Sequence, residues 1–140
     1  MSVTSISGYT TSQLQSLTTT DLQTVEATDF AELVASQLAA LSTTQVGALT
    51  SPQASALTVD QILDLTAAQF YSLVTQQLAS LSTTDVSALT TKQLGQITAT
   101  EIGQLTPAEL AVLGSSQIAA LTTTQMRGVT PDQIANLTLT

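Results

Sequence analysis

Leu81-Ser82-Thr83-Thr84-Asp85-Val86-Ser87-Ala88 and Leu89-Thr90-Thr91-Lys92-Gln93-Leu94-Gly95-Gln96 are two successive copies of one eight-residue cell. With its positions lettered a to h, the cell reads aliphatic, Ser or Thr, two variable residues, acid or amide, a second aliphatic, and two mostly small residues. Counting in eights places Met1, Tyr9, Leu17, Val25, Leu33, Leu41, Leu49, Leu57, Leu65, Leu73, Leu81, Leu89, Ile97, Leu105, Leu113, Leu121, Val129 and Leu137 at a, without a slip of frame. Position e is Gln, Asp or Glu in every cell from Gln13 to Gln133.

A hydroxyl followed three residues later by an acid or amide is a capping box: the hydroxyl accepts from the N3 amide, and the N3 side chain accepts from the N-cap amide. This makes b the N-cap, c to e the first helical turn, and the pair a with f a hydrophobic staple, as in Leu57 with Ile62 or Leu65 with Phe70. The expected caps are Thr18, Thr50, Thr58, Thr66, Ser82, Thr90, Thr98, Thr106, Thr122 and Thr130. Proline agrees, since it is tolerated where an amide has no helical partner. Pro107 and Pro131 fall at c and Pro52 at d. A strand does not fit, because a and f lie an odd number of residues apart and would face opposite sides of a sheet.

The expected fold is therefore an all-α solenoid of very short capped helices. Its core is expected from the a and f residues Leu17, Leu22, Phe30, Leu41, Leu57, Ile62, Leu65, Phe70, Leu81, Leu89, Leu94, Ile97, Leu105 and Leu121. A second period overlies the first: the b hydroxyl is lost at Val34, Val74 and Gly114, forty residues apart. Without the hydroxyl a helix has less reason to restart, so longer helices are expected at Asp29 to Ala40, Ala67 to Ser80 and Pro107 to Ala120. Residues 1–140 read as one repeat domain, with a weak first repeat at 1–8, capped at Ser2, and a truncated last one at 137–140.

Composition narrows the function. The chain is 43% hydrophobic and only 9% charged, which is not the signature of disorder. Its net charge is −8, with Lys92 and Arg127 the only bases, so no basic stripe is present to bind nucleic acid. Polar residues interrupt every apolar run before about 18 residues, so membrane insertion is not expected. The N-terminus has neither the basic region nor the apolar stretch of a cleaved signal peptide. Histidine and cysteine are absent, which removes the usual bases, nucleophiles and soft metal ligands. No enzyme activity, cofactor or metal is expected. The acids at e are explained as caps, because Gln replaces them freely. Asp60 and Asp64, four apart in one cell, are the best pair for a weak cation site, and a solvated helix face is the preferred reading of them.

Tyr71 occupies a g position that is small in most cells; with Lys92 and Arg127 it is a candidate for contact between subunits. Helices of about six residues are far below the ~12–15 that is marginal in isolation. Such a coil depends on stacking, and the most plausible partner is a second copy of the chain.

The cells Leu17-Thr-Thr-Thr-Asp-Leu22, Leu41-Ser-Thr-Thr-Gln-Val46 and Leu121-Thr-Thr-Thr-Gln-Met126 resemble the Leu-Thr-x-x-Gln octad arrays of large bacterial surface and secreted repeat proteins. That resemblance implies extracellular structural or adhesive service. The expected function is a subunit that polymerises into a filament, tube or surface layer, exported without a cleaved signal. The alternatives are a protein- or glycan-binding repeat module, and a cytoplasmic location.

Overall fold

The computed structural model describes residues 5–137. The cap expected at Ser2, the rest of the first repeat before Ser5 and the end of the last repeat after Leu137 lie outside the described residues. The fold is all-helical. Its helices are α1 (Thr11–Ser16), α2 (Thr19–Gln23), α3 (Ala27–Ala31), α4 (Ala35–Ala40), α5 (Thr43–Gly47), α6 (Ser51–Ala56), α7 (Val59–Asp64), α8 (Ala67–Gln77), α9 (Thr83–Ala88), α10 (Thr91–Leu94), α11 (Ala99–Gln104), α12 (Pro107–Ala111), α13 (Ser115–Ala120), α14 (Thr123–Met126) and α15 (Pro131–Ala135). A 3-10 turn, Leu78–Ser80, continues α8.

From Tyr9 on, each cell makes one helix and one corner, except that the cells at Leu65 and Leu73 share α8. The corner is two extended residues, a and b: Leu57, for example, has φ −61° and ψ 134°, and Thr58 has φ −75° and ψ 159°. No described residue has positive φ, so no glycine is needed to turn the chain. The restart is held by the capping box. The hydroxyls of Thr18, Thr58, Thr66, Ser82, Thr90, Thr98, Thr106, Thr122 and Thr130 each accept the N3 amide at 3.1–3.3 Å. Thr50 departs from this. Its hydroxyl accepts nothing from N3, and its helix start rests on the reverse arm alone, the Thr50 amide donating to Gln53 Oε1 at 2.9 Å.

Two of the three long helices expected from the lost hydroxyl do not form. The segment 29–40 breaks into α3 and α4 at Leu33-Val34, and 107–120 breaks into α12 and α13 at Leu113-Gly114. The reason is that the reverse arm suffices. The amides of Val34 and Gly114 donate to Gln37 Oε1 at 2.9 Å and Gln117 Oε1 at 2.7 Å, so each helix restarts without a hydroxyl. Only α8 runs through. There Gln77 Oε1 accepts from the hydroxyls of Ser51 at 2.8 Å and Ser80 at 3.2 Å and not from the Val74 amide, which stays within the helix. Val74 turns inward and is buried, whereas Val34 is exposed.

Helices three cells apart pack together: α1 on α4, α3 on α6, α5 on α8, α9 on α12 and α12 on α15. The a and f side chains form one continuous core running along the axis of the coil, with Phe30 and Phe70 fully buried in it. The core residues expected from sequence are buried except Leu17, which is half-buried against the first turn. Small g and h residues permit the closest approach of turns. A Cβ on Gly128 would fall on the Ala99 carbonyl of α11, and one on Gly103 would lie 2.8 Å from the Gly128 carbonyl oxygen.

Candidate functional site

The residue at e does more than cap. In most cells where it is Gln, its Oε1 accepts the N-cap amide of its own helix, while its Nε2 crosses to the previous turn and donates to two backbone carbonyls, 31 and 28 residues earlier; Gln93 reaches only Ile62, at 2.9 Å, and Gln77 only Leu49, at 2.7 Å. Gln45 reaches Leu14 at 2.8 Å and Leu17 at 2.9 Å. Gln53 reaches Leu22 and Val25, both at 2.8 Å. Gln61, Gln69, Gln125 and Gln133 repeat the pattern at 2.6–3.1 Å. The accepting carbonyls belong to f and the next a, at the C-terminal end of a helix whose last carbonyls lack helical partners. One amide thus joins the start of a helix to the end of another, one turn back, and this clasp sets the pitch at between three and four cells per turn.

Gln37 and Gln117, whose cells lack a cap hydroxyl, grip slightly different carbonyls: Ser7 and Tyr9, and Ser87 and Leu89. Five e positions carry acids, which accept the cap amide but have no hydrogens for the clasp. Asp21 and Asp29 lie in the first turn. The Thr18 hydroxyl and then the Thr18 amide hold the Asp21 carboxyl below its ordinary range. Asp29 makes neither cap bond, and its Oδ2 is buried with no partner. Asp85, Glu101 and Glu109 are buried further along. Glu109 accepts the Thr106 amide at 2.7 Å, yet supplies nothing to Leu78 and Leu81, the carbonyl pair of its register. Capping boxes accept Glu as readily as Gln. The preponderance of Gln at e was therefore the signal of a second, donor-requiring role.

The clasp gives the coil two unlike faces. At the N-terminal end the f residues Ile6, Leu14 and Leu22 are fully buried, while the a residues Tyr9 and Leu17 are only half covered. At the C-terminal end Leu121 at a is buried and Val129 and Leu137 partly so, while Met126 and Ile134 at f are 41% and 58% exposed. Each turn therefore covers the f side chains of the turn before it and the a side chains of the turn after it. Among the described residues, Gln13 Nε2 has no carbonyl pair, and the carbonyls of Ile118 and Leu121, Met126 and Val129, and Ile134 and Leu137 receive no glutamine.

Tyr71 is 46% exposed and edges a shallow groove of about 280 Å³ between α5 and α8, floored by Gly47 and Ala48 and walled by Thr43, Ser72 and Thr75. Lys92 lines a different hollow with Leu63, Thr66 and Gln96. Arg127 is exposed just after α14 and lines neither. The three candidate contact residues are thus not brought together. Asp60 and Asp64 are both exposed on α7. Among the described residues no group of three or more acids could hold a metal ion, and no helix is long and apolar enough to cross a membrane.

These features define an α-solenoid built from octads and fastened by buried glutamines. The family model of the ALTTAQ repeat matches residues 22–59, 30–67 and 100–139, more than half of the chain, and the chain belongs to that repeat family. Positions h to e spell it closely, as in Ala40-Leu-Ser-Thr-Thr-Gln45 and Ala120-Leu-Thr-Thr-Thr-Gln125. No curated protein and no solved structure matches the chain.

Proposed function

We propose that the chain is a structural subunit that associates with copies of itself into an extended bacterial assembly, a filament, tube or surface layer outside the cell. The observation that carries this reading is the outer surface of the coil, rich in Thr, Ser, Ala and Gln and poor in charge, which suits close lateral contact. Val34, Tyr71 and Val112 are large exposed side chains along that surface, and covering them stabilises by about 25 cal/mol per Å² of apolar area. The extracellular placement rests on the resemblance of the octads to bacterial surface arrays. In this reading the protein is neither an enzyme nor a nucleic-acid binder.

Light scattering and negative-stain microscopy of the purified 140-residue chain provide the test. Growth of mass with concentration and elongated particles are expected; compact monomers at the highest concentration overturn the proposal. A second reading, an adhesive module, draws on the uncharged groove beside Tyr71, whose exposed ring and neighbouring hydroxyls suit a neutral glycan. It predicts glycan retention that is lost in Tyr71→Ala.

A further inference from the structure

We infer that Leu73-Val74, inside α8, is a two-state joint: Ser51 and Gly47 hold it straight, and it opens to the broken form seen at Leu33-Val34 and Leu113-Gly114, taking apart the groove beside Tyr71. The same pattern stands three times in the chain, forty residues apart, in two conformations. At Val34 and Gly114 the backbone leaves the helix, with φ and ψ of −79° and 160° and of −70° and 163°, and starts another. At Val74 it runs on as far as Gln77. Much of the broken form is already present in α8. The Leu78 amide donates to the Val74 carbonyl, as Leu38 does to Val34 at 3.0 Å and Ile118 to Gly114 at 2.9 Å. Gln77 Nε2 donates to Leu49 at 2.7 Å, the counterpart of Gln37 on Tyr9 at 2.9 Å and Gln117 on Leu89 at 2.7 Å. To complete the break, Gln77 Oε1 exchanges two hydroxyls for the Val74 amide, and its Nε2 adds the Gly47 carbonyl, which answers to those of Ser7 and Ser87.

Two residues of the middle copy select the straight form. The Ser51 hydroxyl donates to Gln77 Oε1 at 2.8 Å, whereas Thr11 and Thr91, forty residues to either side, make no such bond with Gln37 and Gln117. Gly47 stands where the other copies carry Ser7 and Ser87. It lets α8 press so close that a Cβ there would lie 3.4 Å from both the Cβ and the carbonyl oxygen of Ser72. Burial adds to the preference, since Val74 is 1% exposed in the straight form and Val34 is 59% exposed beside its break. Opening alters the surface as well. Ser72 and Thr75, which wall the groove beside Tyr71, lie on opposite sides of the joint. The groove therefore belongs to the straight form, and an occupant of it shifts the joint toward that form by its differential affinity. None of this depends on whether the chain associates with itself.

The chain has no cysteine, so a single introduced thiol reports its own exposure. In Val74→Cys the thiol is expected to react slowly with a maleimide. Adding Ser51→Ala removes one hydrogen bond of the straight form and should speed that reaction about 2- to 10-fold. Val34→Cys gives the rate beside a standing break, and Val86→Cys, buried in α9, should not respond to Ser51→Ala. Amide exchange followed by NMR in Ser51→Ala alone, with the core intact, shows how the helix opens. A break at Leu73-Val74 frees the Thr75 and Gln76 amides, which become the first two of a new helix. Gln77 and Leu78 then keep the Val74 carbonyl, as Gln37 and Leu38 keep that of Val34. Thr75 and Gln76 are therefore expected to exchange faster, ahead of Gln77 and Leu78. Fraying from the end of α8 gives the opposite order and overturns the inference. So does an unchanged rate in both measurements when Ser51 is replaced, and so does an equal acceleration at Val86→Cys, which is general loosening.

Discussion

Replacing Glu109 with Gln should make the protein more stable, although it removes an acid from the first turn of a helix. Glu109 is buried and caps α12 through the Thr106 amide. Twenty-eight and 31 residues earlier lie Leu81 and Leu78, the same f and a carbonyls that Gln133, three cells later, finds in Ile102 and Leu105 at 2.8 and 2.7 Å. Glu109→Gln retains the cap and adds two amide-carbonyl bonds, each worth about 0.5–1.5 kcal/mol net. Against this stands the loss of a negative charge near the positive end of the helix, about 0.3–1 kcal/mol. The hydrogen bonds win, leaving a gain of roughly 1–2 kcal/mol. For a chain of this size that is a rise of about 3–8 °C in melting temperature. Urea and thermal melts followed by far-ultraviolet circular dichroism at neutral pH measure it. An unchanged or lowered midpoint would refute the account of the clasp, because it would show that the amide nitrogen contributes nothing the carboxylate lacks.

The reverse substitution at a working clasp, Gln53→Glu, leaves the buried carbonyls of Leu22 and Val25 without their donor. It should cost about 2–3 kcal/mol in the same melts, and a loss below about 0.5 would contradict the bonding described. Gly128→Ala drives a methyl group into the Ala99 backbone. It should destabilise by about 1–3 kcal/mol, whereas Gly8→Ala, which meets nothing within 4 Å, should be close to neutral. Hydrogen bonds from Thr18 favour the charged form of Asp21, so the carboxyl should titrate below 3.8 in the folded protein. Its contribution to stability is present above that ordinary value and is lost as the pH falls through the lowered folded value. Carbon-detected titration should place the midpoint below 3.8 and show it moving up toward 3.8 in Thr18→Ala. A midpoint at or above the ordinary value in the parent chain excludes the bond.

Much of this architecture is local, and so was legible in the sequence. The b hydroxyl and e side chain meet three residues apart, and the a and f pair five apart, which is why caps such as Thr58 and Thr106 and core residues such as Ile62 and Phe70 could be named from spacing. What escaped is what spans a turn. Within one octad, glutamine at e is equivalent to an acid as a cap acceptor, because its donor partners lie 28 and 31 residues away, and no octad arithmetic points to them. The same omission explains the misplaced long helices. The spacing alone assigns the restart to the hydroxyl, whereas Gln37 and Gln117 restart their helices at Val34 and Gly114 without one. The exception depends on Ser51, a residue in another turn that diverts Gln77. The half-covered Leu17 likewise depends on the turn it faces and not on its own cell.

Because the clasp spans the seam between two repeats and not a particular pair of side chains, its acceptors are backbone atoms that every octad supplies alike. A gene that gains or loses one whole octad presents each glutamine with a seam of the same kind, so the array can be lengthened or shortened by recombination without retuning its neighbours. A change of one or two codons is different, since it carries the amide off the seam in every turn that straddles it. Evolution of such a protein should therefore proceed in whole-repeat steps, with variation within a repeat confined to its outward-facing letters.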